Sequence, residues 1–229
     1  MTIITKPISM NNIHIALGEN SETTCSLNDS DFRSTVNKPS GSISLENFNN
    51  VNVNPPYTFS GSYFLNEVRE IGSNWLDTGG NQGIAGSHFT MMAWVYYNPT
   101  RGTGGDYAIF GAIGHSNGDC LHCTIRNGSY YFGFWARDMG GPTATQNQWE
   151  HIAYVWDGSQ MKISVNGGSF NNTRNDTTGY RGTHNINIGR WYDNNSSRYF
   201  WQYIAYAKIF NQALTPAQIT AEKNAHIPY

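Results

Sequence analysis

The chain has 229 residues, 14 basic against 16 acidic side chains, a formal net charge of −2 and only 13% charged residues. That balance offers no basic excess to neutralise phosphates, which excludes a typical nucleic-acid binder, and nowhere do eighteen apolar residues run together as a membrane-spanning helix requires. Aromatic residues make up 14% of the chain and glycines number 24; the ring and β-branched surface is enough to build a core, so a disordered chain is excluded as well.

Residues 1–50 carry almost no Trp or Tyr and many Ser, Asn and Glu. Within them Ile8-Ser9-Met10 recurs as Cys25-Ser26-Leu27 and as Ile43-Ser44-Leu45. Each serine is followed three residues on by Asn12, Asp29 or Asn47, the pattern of a helix N-cap with a loose capping box. The segment therefore predicts a small N-terminal module of short helical turns, too small to be stable alone. Its start, MTIITKPISM, has no long apolar stretch or cleavage signature and predicts no secretory signal. Residues 51–56, with Pro55-Pro56, form an extended linker.

From Tyr57 the pattern turns to short apolar or alternating runs. These are Phe89–Tyr97, Tyr107–Ile113, Cys120–Arg126, Tyr130–Ala136, His151–Trp156, Met161–Val165, Asn185–Ile188 and Phe200–Phe210. Asn127-Gly128, Asp157-Gly158 and Asn166-Gly167 supply the positive φ of tight hairpin turns. Runs at this spacing define an all-β chain, a sandwich or barrel spanning 57–229. Alternation places Ile152, Tyr154 and Trp156 inward against His151, Ala153 and Val155, and Tyr130, Phe132 and Phe134 opposite Tyr131 and Trp135. One helix is expected late, with Thr215 as N-cap and Pro216 at its first position.

Three cysteines give no complete disulfide framework. Cys120 and Cys123, three apart on a strand, point to opposite faces and cannot bridge. Cys120 and His122 share a face, but no second pair completes a metal site, so packing is the expected role and no metal is assigned.

Five phrases stand in a recognisable order: NWLDTGG (74–80), FTMMAWVYY (89–97), NQWEHIAYVWDGSQMKISVNGG (147–168), NINIGRW (185–191) and YIAYAKIFNQALTPAQI (203–219). Together they resemble the laminin-G-like, concanavalin A-like lectin/glucanase superfamily. The resemblance implies a two-sheet antiparallel jelly-roll sandwich. It departs from the family at the closing strand, where Gln202, Ala205 and Tyr206 replace a glycine and an acidic pair, so no calcium or other cofactor is assigned. Separately, the phrases Ile8–Gly18, Ser26–Phe32 and Gly41–Phe48 resemble a leader of bacteriophage tail and accessory virion proteins. That resemblance implies a virion location, attachment to other virion proteins through residues 1–50, and a homo-oligomer such as a trimer.

Glycoside hydrolysis needs two carboxylates facing each other across the substrate. After Tyr57 the glutamates are Glu67, Glu70, Glu150 and Glu222, and no Glu-x-Asp-x-Glu phrase occurs. No phosphate loop is present. Binding is the expected activity, and aromatic rings beside planar hydrogen-bonding groups are what a sugar needs. Two clusters qualify: Arg190, Trp191, Tyr192, Asp193 and Asn194 after the NINIG strand, and Trp135, Arg137 and Asp138 at the end of another. Trp191 and Tyr192 are expected as the stacking platform for a host-surface glycan, the alternative being that Trp191 covers the sandwich edge. The function expected is a non-catalytic virion protein (tail fibre, accessory or capsid decoration), with a secreted bacterial glycan hydrolase or its carbohydrate-binding module as the alternative.

Overall fold

The computed structural model describes residues 2–3, 52–53, 61–71, 75–101, 105–114, 116–192 and 197–228. The chain divides into two units, Met1–Phe59 and Ser60–Tyr229. In the first, β1 (Thr2–Ile3) pairs antiparallel with β2 (Asn52–Val53). The helical turns expected elsewhere in 1–50 lie outside the described residues.

The second unit is a sandwich of two six-stranded antiparallel sheets. Its strands are β3 (Gly61–Glu70), β4 (Leu76–Asp77), β5 (Phe89–Tyr96), β6 (Asp106–Gly111), β7 (His122–Arg126), β8 (Ser129–Gly133) and β9 (Met139–Thr143). They continue with β10 (Trp149–Trp156), β11 (Gln160–Val165), β12 (Asn172–Asn175), β13 (Asn187–Ile188), β14 (Arg190–Tyr192), β15 (Ser197–Tyr199) and β16 (Tyr203–Phe210). One sheet runs β12-β11-β10-β5-β16-β3 and the other β4-β13-β6-β7-β8-β9, while β14 and β15 pair as a separate hairpin. The jelly-roll sandwich is thus the fold.

Alternation builds the core between the sheets. Phe89, Met91, Ala93 and Val95 of β5 meet Ile152, Tyr154 and Trp156 of β10 and, from the facing sheet, Ile109, Tyr130 and Phe132. The rings interlock, Phe89 to Phe132 at 6.1 Å and Phe132 to Tyr154 at 5.4 Å between centroids. The turns take the conformations their residues allow. Asn127 and Gly128 sit at φ 50° and 79°, Asn166 and Gly167 at 59° and 78°, the pair of positive values that suits a twisted hairpin.

The other face of the first sheet is covered in part by helix α1 (Pro216–Ala225). Thr215 caps it and closes a reciprocal capping box with Gln218, with proline in the first turn. Its Glu222 pairs with Lys208 of β16 at 2.8 Å, and His226 just beyond stacks on Tyr206 at 5.1 Å. Beneath lie Met92, Trp94 and His151, all buried. Burial there, reinforced by the Lys223 charge, holds the His151 imidazole down at about 3.

Strand boundaries shift from those read in sequence. The Tyr130–Ala136 run stops being a strand at Gly133, because Trp135 and Ala136 turn into the left-handed region at φ 59° and 54°. The run from Phe200 begins pairing only at Tyr203, and β14 is a strand of its own.

Candidate functional site

At one edge of the second sheet, β13 pairs with β6 on one side and β4 on the other, Asn187 opposite both Gly111 and Asp77. Ile188 points into the core. The next residue, Gly189, takes φ +80°, and its amide donates to the Ile109 carbonyl at 2.8 Å. A Cβ there would stand 2.2 Å from the Ile71 side chain, so only glycine allows the chain to leave the core plane at this point. It turns onto the outside of β6 as β14, close enough that a Cβ on Gly111 would meet the Arg190 carbonyl at 2.6 Å.

Alternation along β14 then divides its side chains. Trp191 faces inward, 5% exposed, packed with Ala108, Cys120 and Trp135. Its indole N–H donates to Cys120 Sγ at 2.9 Å and its ring lies 5.0 Å from that of His122. Of the expected stacking platform, Trp191 is therefore a covered residue, because the strand that carries it lies flat on the sheet. Arg190 and Tyr192 face the other way. The Arg190 guanidinium sits 4.4 Å from the centre of the Trp75 ring and 5.3 Å from that of Tyr192, a cation held against two aromatic faces.

These three residues wall a cleft of about 430 Å³ that is also lined by Asp77, Ile113, Thr183, His184, Asn185 and Asn187. Asp77 accepts from the Gly79 amide at 2.8 Å and from Asn185 Nδ2 at 3.1 Å. It is the one carboxylate lining the cleft among the described residues. Aromatic faces beside amide, carboxylate and guanidinium groups form a site that can stack a ring and hydrogen-bond its substituents.

The second sequence cluster bonds within the domain. Arg137 Nε donates to Asn117 Oδ1 at 2.7 Å, and its guanidinium lies 3.5 Å from Asp176. Asp138 pairs with His122 Nε2 at 2.7 Å and accepts from Arg126 Nη1 at 2.9 Å. Burial works against the Asp138 carboxylate, but those two partners hold its pKa at about 2. Trp135 is half-buried against Trp191. The structure thus joins the two clusters by Trp135 and Trp191, and holds Arg137 and Asp138 in bonds within the domain while both stay partly exposed. Asp193 and Asn194 lie outside the described residues.

The sequence reading includes Arg190 and Tyr192 but not Trp75, Asp77, His184, Asn185 and Asn187, which line the same cleft. The cleft exists only once β4 and β13 pair across the fold, and the signal available was the Trp-Leu-Asp and Asn-Ile-Asn phrases at 75–77 and 185–187.

Cys120 and Cys123 follow their expected separation, Cys123 in the core and Cys120 under Trp191, and no disulfide joins them. No group of three His, Cys, Asp or Glu side chains among the described residues is arranged to hold a metal ion.

Residues 71–220 match the model of the concanavalin A-like lectin/glucanases superfamily, and the chain belongs to it. Solved structures share the fold at low identity. Domain 4 of AbnA, a GH43 extracellular arabinanase from Geobacillus stearothermophilus solved with arabinotriose, aligns with a TM-score of 0.50 at 16% identity, over 71% of this chain and 87% of that one. The CBM40 domain of the Ruminococcus gnavus IT-sialidase aligns at 0.52 and 14% identity, over 69% of this chain and 97% of its own. No curated protein sequence matches the chain.

Proposed function

We propose that Ser60–Tyr229 is a non-catalytic glycan-binding domain whose ligand enters the Trp75–Arg190–Tyr192 cleft. The observation that carries this reading is the guanidinium held between two aromatic rings at the wall of a 430 Å³ cleft. Its other polar groups are amides, a histidine, a threonine and a single carboxylate among the described residues, a set suited to hydroxyl recognition rather than to acid–base chemistry. The likeness to domains solved as parts of an arabinanase and a sialidase supports the same class of role.

The leader-like phrases at 8–18, 26–32 and 41–48 support a second level of the proposal. The domain is displayed on a bacteriophage particle, attached through residues 1–50 as a homo-oligomer such as a trimer, and contacts glycans of the host surface. Each copy binds weakly through one open cleft, and several copies on one particle raise the avidity. The alternative, a binding module of a secreted glycan hydrolase, draws its support from the fold likeness to AbnA domain 4.

A glycan array probed with the labelled full chain tests the binding reading. Arg190→Ala and Trp75→Ala are expected to weaken the signals the wild type gives, with melting unchanged for Arg190→Ala. An array on which both variants match the wild type overturns the cleft. Release of reducing ends from a bound polysaccharide overturns the non-catalytic reading. Light scattering of the full chain is expected to give a multiple of 25.6 kDa, and labelling of purified particles by an antibody to the domain separates the virion from the secreted alternative.

A further inference from the structure

The outer face of the first sheet carries an arrangement the cleft does not use. Across four neighbouring strands, Trp149 of β10 pairs in register with Tyr96 of β5, Tyr96 with Tyr203 of β16, and Tyr203 with Glu70 of β3. Direct cross-strand partners project to one side of a sheet, so these four side chains form a straight lateral row. The rings pack edge to face, Tyr96 to Trp149 at 5.8 Å and 72°, Tyr96 to Tyr203 at 6.2 Å and 84°. Arg101 closes the end of the row, ion-paired with Glu70 and with its guanidinium 5.5 Å from the Tyr203 ring.

The row shares its face with Trp94 and His151, which touch at 5.5 Å and are buried under the C-terminal segment. The three outer rings are only half-buried, and Arg101 and Glu70 are exposed. A solvent-side sheet face ordinarily carries polar residues; three rings in a line there mark a surface built for contact.

We infer that this row is a second binding surface, separate from the cleft, for a neutral oligosaccharide segment. Three features select that ligand. The three half-buried rings together expose on the order of 200 Å², which matches one or two sugar rings and falls far short of the roughly 800 Å² per partner that a stable protein interface needs. Their edge-to-face contacts hold the rings in place, so little side-chain freedom is lost when a ligand stacks on them. The Arg101–Glu70 pair adds donors and acceptors without net charge, which suits the paired hydroxyls of a neutral sugar and gives no preference to a carboxylated or sulfated one. The three rings of the row span two strand spacings, about 10 Å, so the row lies along an extended chain rather than capping its end. With the cleft, each domain then holds two contacts for one polysaccharide, and their joint affinity exceeds either alone.

This inference rests on the glycan-binding reading of the domain, and the test separates the two. The full chain is run by affinity electrophoresis through gels containing hydroxyethylcellulose, arabinoxylan, arabinan or polygalacturonate. Retardation is expected in at least one of the three neutral gels. There Trp149→Ala is expected to bind about tenfold more weakly, and Arg101→Ala, a change at an exposed residue, several-fold more weakly. Arg190→Ala is expected to keep part of the retardation. Retardation by none of the gels, or by polygalacturonate alone, overturns the inference. So does retardation that Arg101→Ala and Trp149→Ala leave unchanged while Arg190→Ala removes it, a result that would leave the cleft standing. Unchanged binding by Arg190→Ala with loss by Arg101→Ala would remove the cleft and leave the row. A wild-type dimer in solution that Trp149→Ala or Arg101→Ala converts to monomer assigns the row to a second copy of the chain and overturns the glycan assignment. Should Trp149→Ala fail to fold, Arg101→Ala decides alone.

Discussion

The Trp191 indole N–H donates to Cys120 Sγ at 2.9 Å, fastening β14 to the outer surface of the second sheet. A tryptophan that sits just past a strand in a polar loop becomes, through this contact, a small core of its own with Ala108 and Trp135. The expected consequence is structural. Trp191→Ala should destabilise the domain by about 3 kcal/mol through the cavity it leaves, measured as a lowered denaturant midpoint with unchanged slope. A loss under about 1 kcal/mol would show that the hairpin does not depend on this anchor.

The hairpin's path depends equally on Gly189. Alanine there must hold φ near +80° and place its Cβ 2.2 Å from Ile71. Gly189→Ala should therefore cost about 3 kcal/mol from backbone strain and local displacement together. Because the displaced residue precedes Arg190, ligand binding at the cleft should fall with it. Thermal melting and the glycan array read the two effects separately, and an unperturbed melting curve would refute the strain argument.

The residues that declared themselves in sequence are those whose partners follow from period two. Ile152, Tyr154 and Trp156 point into the core as their alternation requires, as do Tyr130, Phe132 and Phe134. Thr215-Pro216 opens the helix where capping chemistry puts it. Alternation alone does not decide Trp191, because Gly189 reverses the local plane and the face that β14 presents is set by Cys120 and Ala108, distant in sequence. The same limit hid the cleft: Trp75 and Arg190 meet only because β4 pairs with β13. Asp138 and Arg137 carried the right chemistry for a sugar, and His122, Arg126 and Asn117 occupy it.

His151 predicts a pH dependence near neutrality. Burial, with the Lys223 charge adding to it, lowers its folded pKa to about 3 from 6.5. The unfolded chain therefore takes up a proton near pH 6.5 that the folded chain refuses. The stability this neutral imidazole contributes is complete above pH 6.5 and is lost as pH falls toward 3. Between pH 6.5 and 5, where few carboxylates titrate, the wild type should lose about 1–2 kcal/mol. His151→Gln should lose less over the same range. Some slope should remain, since burial also lowers His226. Equal slopes for wild type and variant would place the proton-linked change elsewhere.

Asp138 acts in a lower window. Its burial opposes ionisation, yet the bonds from His122 and Arg126 hold its pKa at about 2 against an ordinary 3.8. A carboxylate lowered in this way contributes stability that is present above pH 3.8 and is lost as pH falls through 2. Asp138 is partly exposed, so after solvent screening the contribution is roughly 1 kcal/mol. Asp138→Asn keeps the shape of the side chain but leaves the Arg126 guanidinium with Asp106 as its carboxylate partner at 2.6 Å. The variant should therefore be less stable than the wild type at pH 6, and the two should converge as pH approaches 2. Asp157 is also lowered, by Lys162 and the amides of its own turn, against a burial that raises it, so Asp138→Asn alone should reduce the acid slope without removing it. Guanidinium melts at pH 6, 4 and 2.5 measure the gap. A gap that stays constant down to pH 2.5 would mean that the cost of the substitution is steric, and that the His122–Asp138–Arg126 cluster does not set the acid stability of the sheet.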